Sequence, residues 1–297
     1  MTLPYGTIRL FQRAMCWWLL GWSLWMLLWG LPAVVAFTPS LVPDGWFAWL
    51  THPVGMVGPG LRVYAVAILL SIAVVGCLHG LLREATVWVS MLMAWSFHSV
   101  MNAAWLNGHG GIHLIANLLL WNILLSFRDA PLRSWFAAIG FRAARLQLLV
   151  VYAATTAQKL TGMHWIDGTA VGIVATDPEF GGRWLLSVPT LPTMLSWAAL
   201  LFQAAFILMV WWRPTRRIWL AAGVVFHLLS AWWIGIPEMG LAFIAAYTIW
   251  LSDKEADRML RLTAWRSSMT RNDKTATPHP PLEAVSAPST PDRTEVR

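Results

Sequence analysis

The chain has 297 residues, of which 58% are hydrophobic and 12% charged, and 21 basic against 14 acidic side chains give a formal charge of +7. A soluble domain carries about 25% charged residues, so this surface cannot be wetted, and a soluble enzyme, a disordered chain and a disulfide-rich secreted module are excluded. Cys16 and Cys77 both lie in apolar runs and offer neither a disulfide framework nor a thiol zinc site; long apolar runs in place of ~10-residue alternation exclude an outer-membrane barrel.

Residues 1–13 form a short N-terminal segment holding Arg9 and Arg13, and residues 14–37 form an uncharged apolar run. At ~1.5 Å per residue that run is ~36 Å long, enough for ~30 Å of hydrocarbon. It exceeds a signal-peptide core and lacks a small-x-small end, so a retained first helix is expected. Seven further spans are expected at 63–82, 85–105, 112–127, 146–165, 194–212, 218–233 and 239–251. Residues 131–145 alternate basic and bulky apolar side chains, the pattern of a helix lying in the membrane interface.

The expected fold is therefore an all-α, polytopic membrane protein with about eight transmembrane helices occupying residues 14–252, in an inner or plasma membrane. Charge orients it. With the N-terminus inside, fourteen Lys and Arg flank the spans on the cytoplasmic side, and only Arg62, Lys159 and Arg183 fall on the other. Both termini are then cytoplasmic. Residues 253–297 form a cytoplasmic tail, rich in Pro, Ser and Thr and disordered from about 270. The basic balance is thus a topology signal, the bilayer is the expected partner, and nucleic acid is not.

Trp18, Trp22, Trp25 and Trp29 make one stripe on the first helix. Ordinary packing and lipid contact explain it better than a wall for a planar ligand such as a quinone.

Ionisable groups at membrane depth are costly, and each is a candidate site. His79 is near enough to the inner interface to be structural. His227 lies ~14 Å into its span, near the midplane. Lys159 lies ~21 Å across from Arg145, with Trp165 as the outer anchor. Its amine either snorkels to the interface or, poorly hydrated, serves as a base. Other polar groups gather on the same outer side: His98 and Asn102 share a helix face, Asn107, His109 and His113 bracket a glycine-rich turn, and His164 and Asp167 follow Lys159. No span carries a repeated charged row, which argues against an ion pore. His98, His113 and His227 could ligate haem, but no spacing fixes a pair, and no metal site of the HExxH type exists.

Residues 152–170, YAATTAQKLTGMHWIDGTA, resemble the pattern Tyr-x-x-Ala-x-x-x-Lys-Leu-x-x-x-Trp-x-x-Gly of the horizontally transferred transmembrane (HTTM) superfamily, which includes the vitamin K-dependent γ-glutamyl carboxylases. Residues 213–251 are similar to the family's segment with Arg-Pro, Phe-His and a Gly-rich entry to the last span, and residues 107–130 resemble its outer turn. The resemblance runs in order over about residues 8–260. It implies that Lys159 deprotonates a hydroquinone, so that oxygen yields a strong base able to remove the γ-proton of glutamate before carbon dioxide adds. The family's outer-turn histidine corresponds to His113, or to His109 in another register, and the Phe-His residue to His227.

The large lumenal region of the carboxylases has no counterpart here, which sets peptide carboxylation apart from quinol chemistry. The expectation is a quinol-dependent carboxylase-like or oxidoreductase-like enzyme with an outward-facing site, Lys159 and His113 catalytic, and His98, Asn102, His109, His164, Trp165, Asp167 and His227 binding substrate. The alternative is a non-catalytic protein that binds a peptide or helps to export it. Lys159, His113 and His227 are expected to line one outward-open cavity, since partnerless polar groups in hydrocarbon are costly.

Overall fold

The computed structural model describes residues 3–32, 47–103, 110–127, 134–178, 180 and 182–272, with the side chains of 47 and 263–272 outside that description. The described residues contain helices and turns and no strand. In chain order the helices are α1 (Tyr5–Trp25), α2 (Phe47–Thr51), α3 (Pro53–Met56), α4 (Arg62–Leu82), α5 (Val87–Ala103), α6 (Gly110–Leu125), α7 (Ser134–Thr161), α8 (Met163–Ile166), α9 (Ala170–Thr176), α10 (Leu191–Met209), α11 (Arg213–Ile234), α12 (Pro237–Tyr247) and α13 (Asp253–Asn272).

Four of these are long and apolar enough to cross a membrane: Pro59–Leu82, which contains α4, together with α7, α10 and α11. The other four expected spans fall on α1, which is rich in tryptophan, and on α5, α6 and α12, which have 17, 16 and 11 residues.

The expected interfacial helix at 131–145 and the span at 146–165 meet in one continuous helix. α7 runs 28 residues, ~42 Å. Gly140 does not break it, because it is the point where α7 presses on α6: a Cβ there would meet the Trp121 carbonyl at 3.0 Å. The helix ends at Gly162, whose φ of −92° and ψ of 118° begin the separate turn of α8.

The first of two compact units, Met1–Arg258, holds α1 to α12 and the start of α13. α1 packs on α4 and α12, α6 on α5, α7 and α12, α10 on α7, and α11 on α12. The tryptophan stripe divides between core and surface. Trp18 and Trp22 are buried and stack at 6.1 Å, with the Trp18 indole donating to the Glu238 carbonyl, while Trp25 and Trp29 are exposed. This is the packing role that the stripe suggests.

α11 ends in Gly235, whose φ of 80° is left-handed, and α12 begins with Pro237 at its first turn. The two helices then run close together. A Cβ on Gly240 would lie 2.5 Å from the His227 carbonyl oxygen, and one on Gly223 would lie 2.5 Å from the Tyr247 hydroxyl. The absence of these side chains brings Tyr247 and Phe243 against His227.

The N-terminus of α13 carries the carboxylate half of a capping box: the Ser252 N–H and hydroxyl donate to Glu255 at 2.9 and 2.6 Å. Buried Thr7 donates from N–H and hydroxyl to the Asp253 carboxylate at 2.9 and 3.0 Å, which ties α1 to this cap. The second unit, Met259–Arg297, is helical to Asn272, so helix extends slightly past the expected onset of disorder. The rest of the expected tail lies outside the described residues.

Candidate functional site

The polar centre of the helix bundle is built around His227. Its side chain is 2% exposed, and its Nε2 hydrogen-bonds the Tyr152 hydroxyl at 2.8 Å. Tyr152 in turn hydrogen-bonds the Tyr247 hydroxyl. Three helices, α7, α11 and α12, thus each give one group to a linear polar chain. Aromatic rings enclose it: Phe243 stacks on the imidazole at 4.3 Å and 10°, Phe226 meets it edge-on at 5.0 Å, and Phe206 covers Tyr152 at 4.5 Å.

When Tyr247 donates to Tyr152 and Tyr152 to His227, Nε2 is an acceptor and the neutral ring carries its hydrogen on Nδ1. That Nδ1 is buried and has no hydrogen-bond partner. The Thr156 hydroxyl, one turn from Tyr152 on α7, and the Gln203 carbonyl oxygen on α10 share that condition. α10 runs antiparallel to α7, since the Trp197 indole donates to the Ile166 carbonyl beyond the end of α7 and Phe206 packs on Tyr152 farther in. Thr156 and Gln203 are therefore each about one turn outward from this ring contact.

Tyr152, Thr156 and Lys159 are spaced i, i+4, i+7, which puts them on one face of α7 over ~10 Å. Lys159 is half-buried, with its Nζ 4.6 Å from the centroid of the Trp165 ring. The amine thus rests on the aromatic face of a residue expected to be its neighbour.

The remaining expected residues are placed apart from this seam. His113 is exposed on α6, and its carbonyl accepts from Asn117 at 3.1 Å. Among the described residues no hydrogen bond or ring contact joins His113 or Lys159 to His227. Around His227 itself, aromatic rings pack against the imidazole. His98 bonds its own helix at the Ala94 carbonyl, 2.7 Å away, and Asn102 donates to the Thr51 carbonyl at 2.7 Å. No cluster of three His, Cys, Asp or Glu that could hold a metal ion exists among the described residues.

His164 in α8 and Asp167 just after it form an exposed local cluster. Thr169 donates to Asp167 through its hydroxyl at 2.6 Å and its N–H at 2.9 Å, and His164 meets the Thr169 hydroxyl at 3.0 Å. These hydrogen bonds, with His164 nearby, hold the Asp167 carboxyl below its ordinary range. His109 lies outside the described residues, as does Asn107.

Sequence reasoning gave no role to Gln203 or Tyr247, and noted Tyr152 only as the first residue of the family pattern and Thr156 only as a neighbour of Lys159. The signal for Tyr152 was its seven-residue spacing from Lys159; Tyr247 carried none, because a tyrosine in an apolar run reads as packing. Comparison with protein-family models, curated proteins and solved structures finds no match.

Proposed function

We propose that the chain is a polytopic integral membrane protein of the HTTM type, crossing an inner or plasma membrane eight times with both termini cytoplasmic, and that it performs proton-transfer chemistry on a membrane-soluble quinol. The crossing is supported by four helices of sufficient length and apolarity and by the fourteen-to-three asymmetry of basic residues. The HTTM assignment rests on residues 107–130, 152–170 and 213–251.

One observation carries the functional reading: Tyr152, Thr156 and Lys159 occupy one face of α7, and buried Thr156 Oγ1 and His227 Nδ1 lack protein partners beside it. Partnerless polar atoms in an apolar interior cost free energy, about 1–3 kcal/mol each, so such a seam favours a ligand that brings its own hydrogen bonds. Lys159 takes the proton of the quinol hydroxyl, and the face of Trp165 holds the resulting ammonium. The His227–Tyr152–Tyr247 chain fixes the deep end of the seam and keeps water out. The outcome is carboxylase-like or oxidoreductase-like chemistry, according to what reacts with the ionised quinol.

Lys159→Arg tests the chemistry. It keeps charge and stacking but removes the base, since guanidinium does not deprotonate in proteins. Purified wild type is expected to yield a quinone on organic extraction and to oxidise a supplied quinol with dissolved dioxygen as the two-electron acceptor, and the variant to bind without turnover. An unimpaired variant would favour non-catalytic peptide binding or export. Reporter fusions after Arg217 and Arg266 are expected to read cytoplasmic and one at Arg183 external; an external reading at Arg217 would refute the span assignment.

A further inference from the structure

A groove of about 640 Å³ runs along the outside of α4, separate from the polar seam. Ala67, Ser71, Val75 and His79 line it at four-residue intervals, with Val89 and Leu92 of α5 on the far wall. Ala67, Ser71 and Gly76 leave it room between larger neighbours, and Gly76 admits Met93: a Cβ there would stand 2.6 Å from the Met93 Cγ. The Ser71 hydroxyl is turned back onto the Ala67 carbonyl at 2.8 Å, so the wall between Ala67 and Val75 is apolar.

Length, charge and an aromatic anchor define what fits. Ala67 to His79 spans ~18 Å along the helix, close to the ~15 Å depth of one leaflet. At the His79 end α4 stops at Arg83, one turn on and exposed, and the nearby Glu84 carboxylate is engaged by Arg9 at 2.7 Å. Trp88, 75% exposed, stands at the same end on the flank of α5, where an indole marks the headgroup region.

We propose that this groove binds an anionic phospholipid of the cytoplasmic leaflet, with one acyl chain along Ala67, Ser71 and Val75 and the phosphate accepting from Arg83 and His79. Basic ends of inter-helix grooves on the cytoplasmic side suit such headgroups. The inference rests on the membrane orientation proposed above, but not on the quinol reading.

The test titrates the full chain in detergent with dioleoyl phosphatidylglycerol or dioleoyl phosphatidylcholine and counts bound lipids by native mass spectrometry. Phosphatidylglycerol is expected to bind about tenfold more tightly, and H79Q with R83Q to bring it to the phosphatidylcholine level. Ser71→Trp, or the milder Ser71→Leu if Trp impairs folding, is expected to weaken both lipids by filling the groove. Thermal unfolding followed with a thiol-reactive dye establishes that each variant is folded. Equal affinity for the two lipids, no change in H79Q/R83Q, or full binding by both Ser71 variants would each overturn the proposal. So would a lipid-free dimer that Ser71→Trp dissociates, because the groove would then receive a second copy. K159R is expected to leave lipid binding unchanged, which separates failure of this site from failure of the quinol reading.

Discussion

Replacing Gly240 by alanine tests how the polar centre is assembled. The added Cβ would stand 2.5 Å from the His227 carbonyl oxygen, 2.9 Å from the Ala231 Cβ and 3.3 Å from the His227 carbonyl carbon. A C···O contact closes at about 3.3 Å, so the methyl is ~0.8 Å too near to backbone that cannot rotate aside. α12 must therefore back away from α11, and the stack of Phe243 on His227, now 4.3 Å, opens with it. Overpacking of this kind costs ~1–3 kcal/mol, and a backbone obstacle belongs in the upper half of that range. Alanine returns ~0.5–1 kcal/mol through helix propensity, leaving a net loss of ~1–2.5 kcal/mol. At ~2–4 °C per kcal/mol for a domain of ~150–250 residues, Tm should fall by roughly 2–10 °C.

Cys16 and Cys77 are free and buried, so a thiol-reactive dye follows the unfolding without added labels. Gly21→Ala is the control, since a Cβ there meets nothing within 4 Å and the same propensity gain should leave Tm equal or higher. If Gly240→Ala melted with Gly21→Ala, the close crossing of α11 and α12 would be refuted.

Tyr152→Phe strands His227 Nε2 and the Tyr247 hydroxyl together and should cost ~1–3 kcal/mol, whereas Tyr247→Phe should cost less. A double-mutant cycle read by the same melting assay should show non-additivity of at least ~0.5 kcal/mol. Thr7→Val removes the hydroxyl contacts to Asp253 and to the Leu251 carbonyl while keeping the N–H bond to Asp253, and should lower Tm by loosening α1 from the cap of α13. Burial raises the Glu255 carboxyl, but the Ser252 hydrogen bonds and Arg217 outweigh it and hold the group below its ordinary 4.5. A lowered folded value means the stabilisation is present above the ordinary value and is lost as pH falls through the folded one. Wild-type Tm should thus drop on acidification below about pH 4.5 more steeply than that of Glu255→Gln, which lacks the charge while its amide oxygen still accepts from the Ser252 N–H. A parallel decline in the two proteins would show that Glu255 contributes nothing there.

The amino-acid sequence by itself determined that the chain is helical, where its long apolar runs lie and which residues at depth are polar, because each of these is a local property. A run such as 63–82 needs no partner to be read, and α4 occupies it almost residue for residue. Local reading failed where continuity or distance decided. Basic and bulky residues at 131–145 suggested a separate interfacial helix, yet from Ser134 on nothing in them stops a helix, and packing on α6 at Gly140 carries α7 straight through. Lys159 was visible as a charge in an apolar run, and Trp165 as its neighbour, since both are close in sequence. The partners of His227 were not, because Tyr152 and Tyr247 stand 75 positions before it and 20 after it on other helices. The glycines show the same division. Gly21 and Gly240 are alike in sequence, and only the crossing of α11 and α12 makes one replaceable and the other a point of backbone contact. A hydroxyl or a missing Cβ acquires its meaning from what the fold sets opposite it.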